Sequence, residues 1–271
     1  MTRIISLLVG LFFSAALLWS FGNGAYTAAT EPAAPTAEAS FHEHPKALHL
    51  SSDGAFGHFD KQQLQRGFQV YSEVCAACHS LRHVAFRDLK ALGYNEDEVK
   101  AIASKYTITA ADPLTGEVKD RPGLAADHFP KVTYAGKGSP PDLSLIAKAR
   151  HNGGPYVYSL LTGYAQQPAE LLKKFPDAKT PEGLFYNPYF ANLNIAMPAP
   201  LTSDGQVTYS DGTNASVDQM AQDVSAFLVW TAEPKLEKRH QTGWAVLGFL
   251  LFAAVLAYMS YRNVWAEKKG H

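Results

Sequence analysis

In the run Cys75-Ala76-Ala77-Cys78-His79, two thiols and an imidazole fall within one short stretch. Cysteines at this spacing lie on one side of a turn, so each thiol can add to one vinyl group of a porphyrin. The adjoining imidazole is then held beneath the iron as its proximal ligand. Two other chemistries share part of this pattern. A thioredoxin-like dithiol needs a βαβ setting, which is missing around these residues. The usual closed zinc site needs four ligands, often from a second cysteine pair or paired histidines. The chain has 2 cysteines, both in this run. The motif therefore reads as the attachment site of one covalent c-type haem, through Cys75 and Cys78.

The second axial position is filled by methionine, filled by histidine, or empty, and that choice decides what the iron can do. Of the 4 methionines, Met1 is the initiator, Met259 lies in an apolar C-terminal run, and Met220 falls on a helical stripe that reads as core. Met197 precedes Pro198, which biases its backbone to an extended form suited to presenting a thioether. Among the histidines, His83 is one turn beyond His79 and cannot reach across a porphyrin. His58, His128 and His151 lie in or beside loops. The expected iron ligands are His79 and Met197. Anionic haem propionates call for donors, and Arg121, Tyr134 and Arg150 are the candidates.

Two helices must position these groups. Asp60, with Gln63 three residues on, is an N-cap for a helix carrying Leu64, Phe68, Tyr71 and Val74 or Cys75 at helical spacing. Gly67 within it weakens the helix but admits a close neighbour. Ser216, with Gln219, opens a second helix whose stripe is Val217, Met220, Ala221, Val224, Phe227, Leu228 and Thr231, ending at Pro234. Between them the chain is proline-rich, from Pro113 to Pro200, with helices expected over Asp142–Arg150 and Tyr156–Thr162. Loops this dense gain a core by wrapping a flat porphyrin. A haem-leading helix crossed by a late aromatic helix resembles the plan of small c-type cytochromes. The expected fold is mainly α, a class I c-type cytochrome fold with long loops plus one C-terminal transmembrane helix.

The ends suggest a membrane. Arg3 is followed by an uncharged apolar run from Ile4 to Phe21, longer than the usual export-signal core; residues 1–29 read as a signal peptide or an N-terminal anchor. Residues 30–40 read as a linker and 41–234 as the haem domain. A second linker, 235–240, leads to a transmembrane helix over 241–262, with Trp244, Tyr258, Tyr261 and Trp265 as an aromatic belt. Arg262, Lys268 and Lys269 fall in or beside a cytoplasmic tail, 263–271. Lys235, Lys238 and Arg239 nearly balance them, so orientation rests on the haem lying outside. A net charge of −1 gives no support to nucleic-acid binding.

Longer blocks carry a family resemblance. Arg66-Gly67-Phe68-Gln69-Val70-Tyr71 with Val74 to Ser80 is similar to the haem segment of cytochrome c1. So are Pro140-Pro141-Asp142-Leu143-Ser144, Ala149-Arg150-His151, and Tyr156 to Tyr164. Tyr186-Asn187-Pro188-Tyr189-Phe190, Met197-Pro198, and Asp211-Gly212-Thr213 leading to Ala232-Glu233-Pro234 complete the pattern. The resemblance implies the haem c subunit of ubiquinol–cytochrome c reductase, a redox subunit and not an enzyme in isolation. Its partners would be cytochrome b, a Rieske iron–sulfur protein as donor, and a soluble or tethered cytochrome c as acceptor. It implies a bacterial inner-membrane protein with a periplasmic haem domain. It also carries the ligand role to Met197 and propionate contacts to Arg121 and Tyr134. Some bacterial members hold a disulfide-containing insertion before the methionine. This chain has only a modest segment from Gln166 to Pro181 and no spare cysteines, so another restraint on the Met197 loop is expected. A membrane-anchored cytochrome serving a terminal oxidase or periplasmic dehydrogenase would share the motif and the anchor but not these blocks.

Overall fold

Helices dominate the computed structural model, which describes residues 2–31, 34–112, 115–136, 138–266 and 268. Pro113 and Lys269, named above, lie outside the described residues. In chain order the helices are α1 (Thr2–Thr30), α2 (Ala37–Phe41), α3 (Lys61–Val70), α4 (Glu96–Ser104), α5 (Ile146–Ala149), α6 (Gly153–Thr162), α7 (Ala169–Lys174), α8 (Val217–Ala232) and α9 (Leu236–Ala266). Two antiparallel pairs join them: β1 (Thr107–Ala111) with β2 (Val118–Pro122), and β3 (Phe185–Tyr186) with β4 (Asn194–Ile195).

The chain divides into two units. One comprises residues 1–42 and 168–179; the other, 43–167 and 180–271, contains the haem motif. In the first, α1 is exposed throughout. Thr36 caps α2, and Phe41 meets Phe175 edge-on at 6.4 Å.

In the larger unit, the Asp60 carboxylate accepts from the Gln62 and Gln63 amides at 2.9 and 3.3 Å. This satisfies donors that the first turn of α3 leaves without partners. Ser216 Oγ does the same for Gln219 at 3.1 Å. The two expected helices thus begin where their caps stand, and they cross at Gly67. A Cβ there would lie 2.1 Å from the Asp223 carbonyl oxygen and 2.7 Å from Phe227 Cβ. Only a hydrogen fits, so glycine sets how closely α3 and α8 approach.

Apolar and ionic contacts close the crossing. Phe68 and Tyr71 pack on Phe227 at 5.6 and 5.8 Å, and Phe129 extends the cluster to Phe86 at 4.4 Å. Met220, fully buried on α8, belongs to this core. Beside it, Arg66 holds the buried Asp223 through two bonds of 2.9 and 3.2 Å and the exposed Asp211 at 2.8 Å. Gln219 adds a bond to Asp223 at 2.9 Å. Multiple partners are what make a buried carboxylate tolerable.

Some boundaries differ from the sequence expectation. The helix expected over Asp142–Arg150 is reduced to α5, because Asp142 and Ser144 bond to the segment after His79. The stretch expected as loop contains the β1–β2 hairpin, turned by Gly116 at φ +72°. α9 begins inside the expected 235–240 linker. Glu237, Lys238 and Arg239 are good helix formers, and Leu236 is buried, so the helix runs unbroken from the haem domain into the apolar segment.

Candidate haem-binding site

α3 does not end at the motif; it widens into a π-helical turn over Tyr71–Cys75. The Ala76 amide reaches back to the Tyr71 carbonyl at 2.8 Å. Such turns commonly occur at functional sites. The next turn is tight: the Cys78 and His79 amides both donate to the Cys75 carbonyl, at 3.1 and 2.9 Å. Buried Tyr71 fixes the far side, its hydroxyl donating to the His79 carbonyl at 2.9 Å. Cys75 and Cys78 are both half-buried. Burial, with Cys78 nearby, pushes the Cys75 thiol up to about 12, so it is neutral at physiological pH.

The imidazole is oriented from outside the motif. His79 Nδ1 lies 2.7 Å from the Pro141 carbonyl oxygen. A carbonyl only accepts, so Nδ1 carries the proton and the Nε2 lone pair is left for a metal. A ligand histidine generally has its other nitrogen engaged in this way. Around Pro141 the chain is stitched to the motif. Leu143 N–H donates to the Ser80 carbonyl at 2.9 Å, Arg82 N–H to Asp142 at 2.9 Å, and His83 N–H to Ser144 Oγ at 3.1 Å. Burial opposes ionisation of Asp142, but bonds from Ser144 and Arg82 hold its carboxyl below the usual range.

Beside Cys78 lies a groove of about 490 Å³ whose walls include Ser80, Tyr134, Gly138, Pro141 and Asp142. Tyr134 is 38% exposed and lines this groove together with Cys78. Gly138, at φ +91°, comes so near the Met197 loop that a Cβ on it would stand 3.6 Å from Ala196 Cβ. The loop therefore lies at the rim of the same groove, with Met197 half-buried.

Without a disulfide, this loop is held by polar contacts and one unusual backbone. Tyr164 donates to the Met197 carbonyl at 3.0 Å. Asn187 donates to the Leu160 carbonyl at 2.8 Å and accepts from the Tyr189 amide at 3.1 Å. Leu193 takes φ +64°, a costly conformation for leucine, and its carbonyl accepts from Asn187 N–H at 2.8 Å. Gln206 donates to the Pro200 carbonyl at 2.8 Å on the other side.

Arg121 stands elsewhere. From β2 it grips Asp127 with two bonds, 2.6 and 2.9 Å, and it is not among the residues lining the groove. Its guanidinium holds the Asp127 carboxyl below the usual range. Arg150 is exposed and donates to the Ala149 carbonyl at 3.1 Å. His58, His83, His128 and His151 are all exposed. The roles of Pro141, Tyr71 and Tyr164 were missed from sequence. Pro140-Pro141 carries only the loop reading and the family resemblance in the sequence, although a stiff pair before a turn is suited to fixing a carbonyl.

With this geometry in place, comparison with known proteins settles the family. The model of the cytochrome C1 family matches residues 50–268. The chain belongs to that family. Cytochrome c1 of Rhodospirillum rubrum is 44% identical over 233 residues, covering 80% of this chain and 85% of its own. Cytochrome c1 of Cereibacter sphaeroides is 41% identical, covering 84% and 89%. A longer relative, cytochrome b/c1 of Bradyrhizobium diazoefficiens, is 42% identical over 82% of this chain but only 36% of its own length. Cytochrome c1 is the haem-bearing redox subunit of the bc1 oxidoreductase, which makes this chain an electron-transport protein of the respiratory chain. Two thiols on one turn and an imidazole with Nδ1 already bonded fit the c-type haem that the family implies. α1 and α9 are each long and apolar enough to cross a membrane.

Proposed function

We propose that Cys75 and Cys78 hold one haem covalently, that His79 and Met197 are its axial ligands, and that the chain passes single electrons from a Rieske iron–sulfur protein to a cytochrome c. The observation that carries this is the His79–Pro141 bond beside the two thiols, with the Met197 loop at the rim of the same groove. When bound, haem supplies a one-electron iron couple, and Met/His ligation raises its potential. The residues do the rest. Cys75 and Cys78 tether the group, Pro141 keeps His79 in the ligating tautomer, and Tyr164 keeps Met197 from swinging away. With both axial positions taken, no substrate has access to the iron, so the chain acts as a relay and not as an enzyme in isolation. Tyr134, in the groove, is a propionate donor. Arg121 takes the same role only if its grip on Asp127 loosens when haem is present.

Cytochrome b and the Rieske protein are the assembly partners. α9 is the membrane anchor, with the haem domain on the periplasmic side of a bacterial inner membrane and the tail beyond Arg262 in the cytoplasm. The N-terminal segment 1–29 is an export signal or a second anchor.

The test is gentle solubilisation of native membranes carrying the tagged chain, followed by a dithionite-minus-ferricyanide spectrum of what co-purifies. Haem b in excess of haem c, with a Rieske signal by electron paramagnetic resonance, is expected. Haem c alone, under conditions that keep the complex intact, would overturn the assignment.

A further inference from the structure

Phe56 is 82% exposed, although it stands in a loop that is firmly built. The Asp53 carboxylate accepts from Leu50 N–H at 2.8 Å, His58 N–H donates to the Ser51 carbonyl at 2.9 Å, and Asp60 N–H to Ser51 Oγ at 3.2 Å. Gly57 is packed so tightly that a Cβ would lie 2.2 Å from the Ser52 carbonyl oxygen, and Gly54 takes φ +77°. A loop this constrained does not expose a phenylalanine for want of order. Burying such a ring in an apolar surrounding is favourable, so a surface that can take it is implied.

Two contacts show where the loop points. Phe59 N–H donates to the Glu237 carboxylate at 2.8 Å, and the Phe56 ring stacks on Trp244 at 5.1 Å with planes 9° apart. Glu237 and Trp244 are seven residues apart, on one face of α9, about 10 Å along its axis. The loop therefore lies along the first two turns of α9 and reaches the level of the tryptophan. Tryptophan at the start of an apolar span marks the headgroup layer. Lys238 and Lys235 are exposed six and nine residues before it in the chain, about two turns or more above it, where anionic lipid would meet them.

We propose that residues 51–59 form a membrane-surface foot. Phe56 enters the headgroup layer of the bilayer beside Trp244, and the Phe59–Glu237 bond stops the haem domain from turning about α9. Asp60, the cap of α3, follows directly, so the foot connects through α3 to the haem motif and sets its height above the membrane. The inference rests on the reading of α9 as a span, and the experiment tests the two separately.

Spin labels are placed at Ala55→Cys, next to Phe56, and at Leu251→Cys within α9, in the complete haem-loaded complex reconstituted in liposomes of mixed zwitterionic and anionic lipid. Collision with oxygen and with a water-soluble nickel chelate is read for each. The expected result is a Leu251→Cys label in hydrocarbon and an Ala55→Cys label in the headgroup layer, its shielding from the chelate lost when Phe56→Ser is added. An Ala55→Cys label fully open to the chelate, with Leu251→Cys deep, overturns the foot and leaves the span standing. An Ala55→Cys label closed to both reagents means a neighbouring subunit covers the loop, which also overturns it. A chelate-accessible Leu251→Cys label defeats the span reading and the foot with it.

Discussion

Gly67→Ala is a substitution for which propensity and structure disagree in sign. In an ordinary helix interior alanine is about 1 kcal/mol better than glycine, which alone predicts stabilisation. Here the new methyl would stand 2.1 Å from the Asp223 carbonyl oxygen and 2.7 Å from Phe227 Cβ, where ordinary contact begins near 3.4 Å. The obstructing atom is backbone, so no side-chain tip can swing aside, and α8 must retreat by more than 1 Å. A gap of 0.5–1 Å already forfeits roughly a quarter to a half of each dispersion contact across an interface. Overpacking costs about 1–3 kcal/mol, and a rigid backbone obstacle puts this site at the upper end. Against the helix gain, a net loss of about 2 kcal/mol remains. For a domain of this size that lowers the unfolding midpoint by about 4–8 °C. Far-ultraviolet circular dichroism of the haem-loaded, detergent-solubilised chain measures it. A midpoint equal to or above that of the native chain would show that the helices cross elsewhere and that Gly67 does not set their spacing.

Other outcomes follow from the same contacts. Arg66→Ala strands a buried carboxylate and should cost about 3–5 kcal/mol, while the pair replaced together by Met and Leu should recover most of it; denaturant titration distinguishes the two. Asp211 is held down to about 2, chiefly by the Thr213 amide and then by Arg66, from an ordinary 3.8. A lowered folded-state value means that the stabilisation is full above the unfolded value and fades as pH falls towards the folded one. The unfolding midpoint should therefore drop between about pH 4 and pH 2, and Asp211→Asn should flatten that part of the curve. Tyr164→Phe removes one hydrogen bond, worth about 1 kcal/mol. On warming, the near-infrared Met–iron band should vanish at a lower temperature than in the native chain, while the global midpoint barely moves.

What could be read beforehand was what local chemistry dictates. Asp60 and Ser216 announced their helices because caps act within three residues, and Gly67 announced a close neighbour because glycine in a helix otherwise only costs. The run Cys75 to His79 could be picked out for the same reason, since the chemistry proposed for it needs only spacing. The Pro141 carbonyl was not, being 62 residues from the imidazole that it orients and having no side-chain signature. The shortening of α5 was hidden likewise: Asp142 and Ser144 look helical until their bonds to Arg82 and His83 are seen. Arg121 shows the opposite case. A lone arginine in the sequence invites an anion, and its bonds to Asp127, six residues on, appear only in the structure.

The central claim, an iron with both axial positions filled by this chain, is tested most directly by carbon monoxide. The gas is added to the reduced complex carrying either the native chain or Met197→Ala, and difference spectra are recorded. The account predicts no haem c response from the native chain and a clear one from the variant, with loss of the near-infrared band and a lower midpoint potential. Carbon monoxide binding to the native haem c, or a near-infrared band unchanged in the variant, would contradict it.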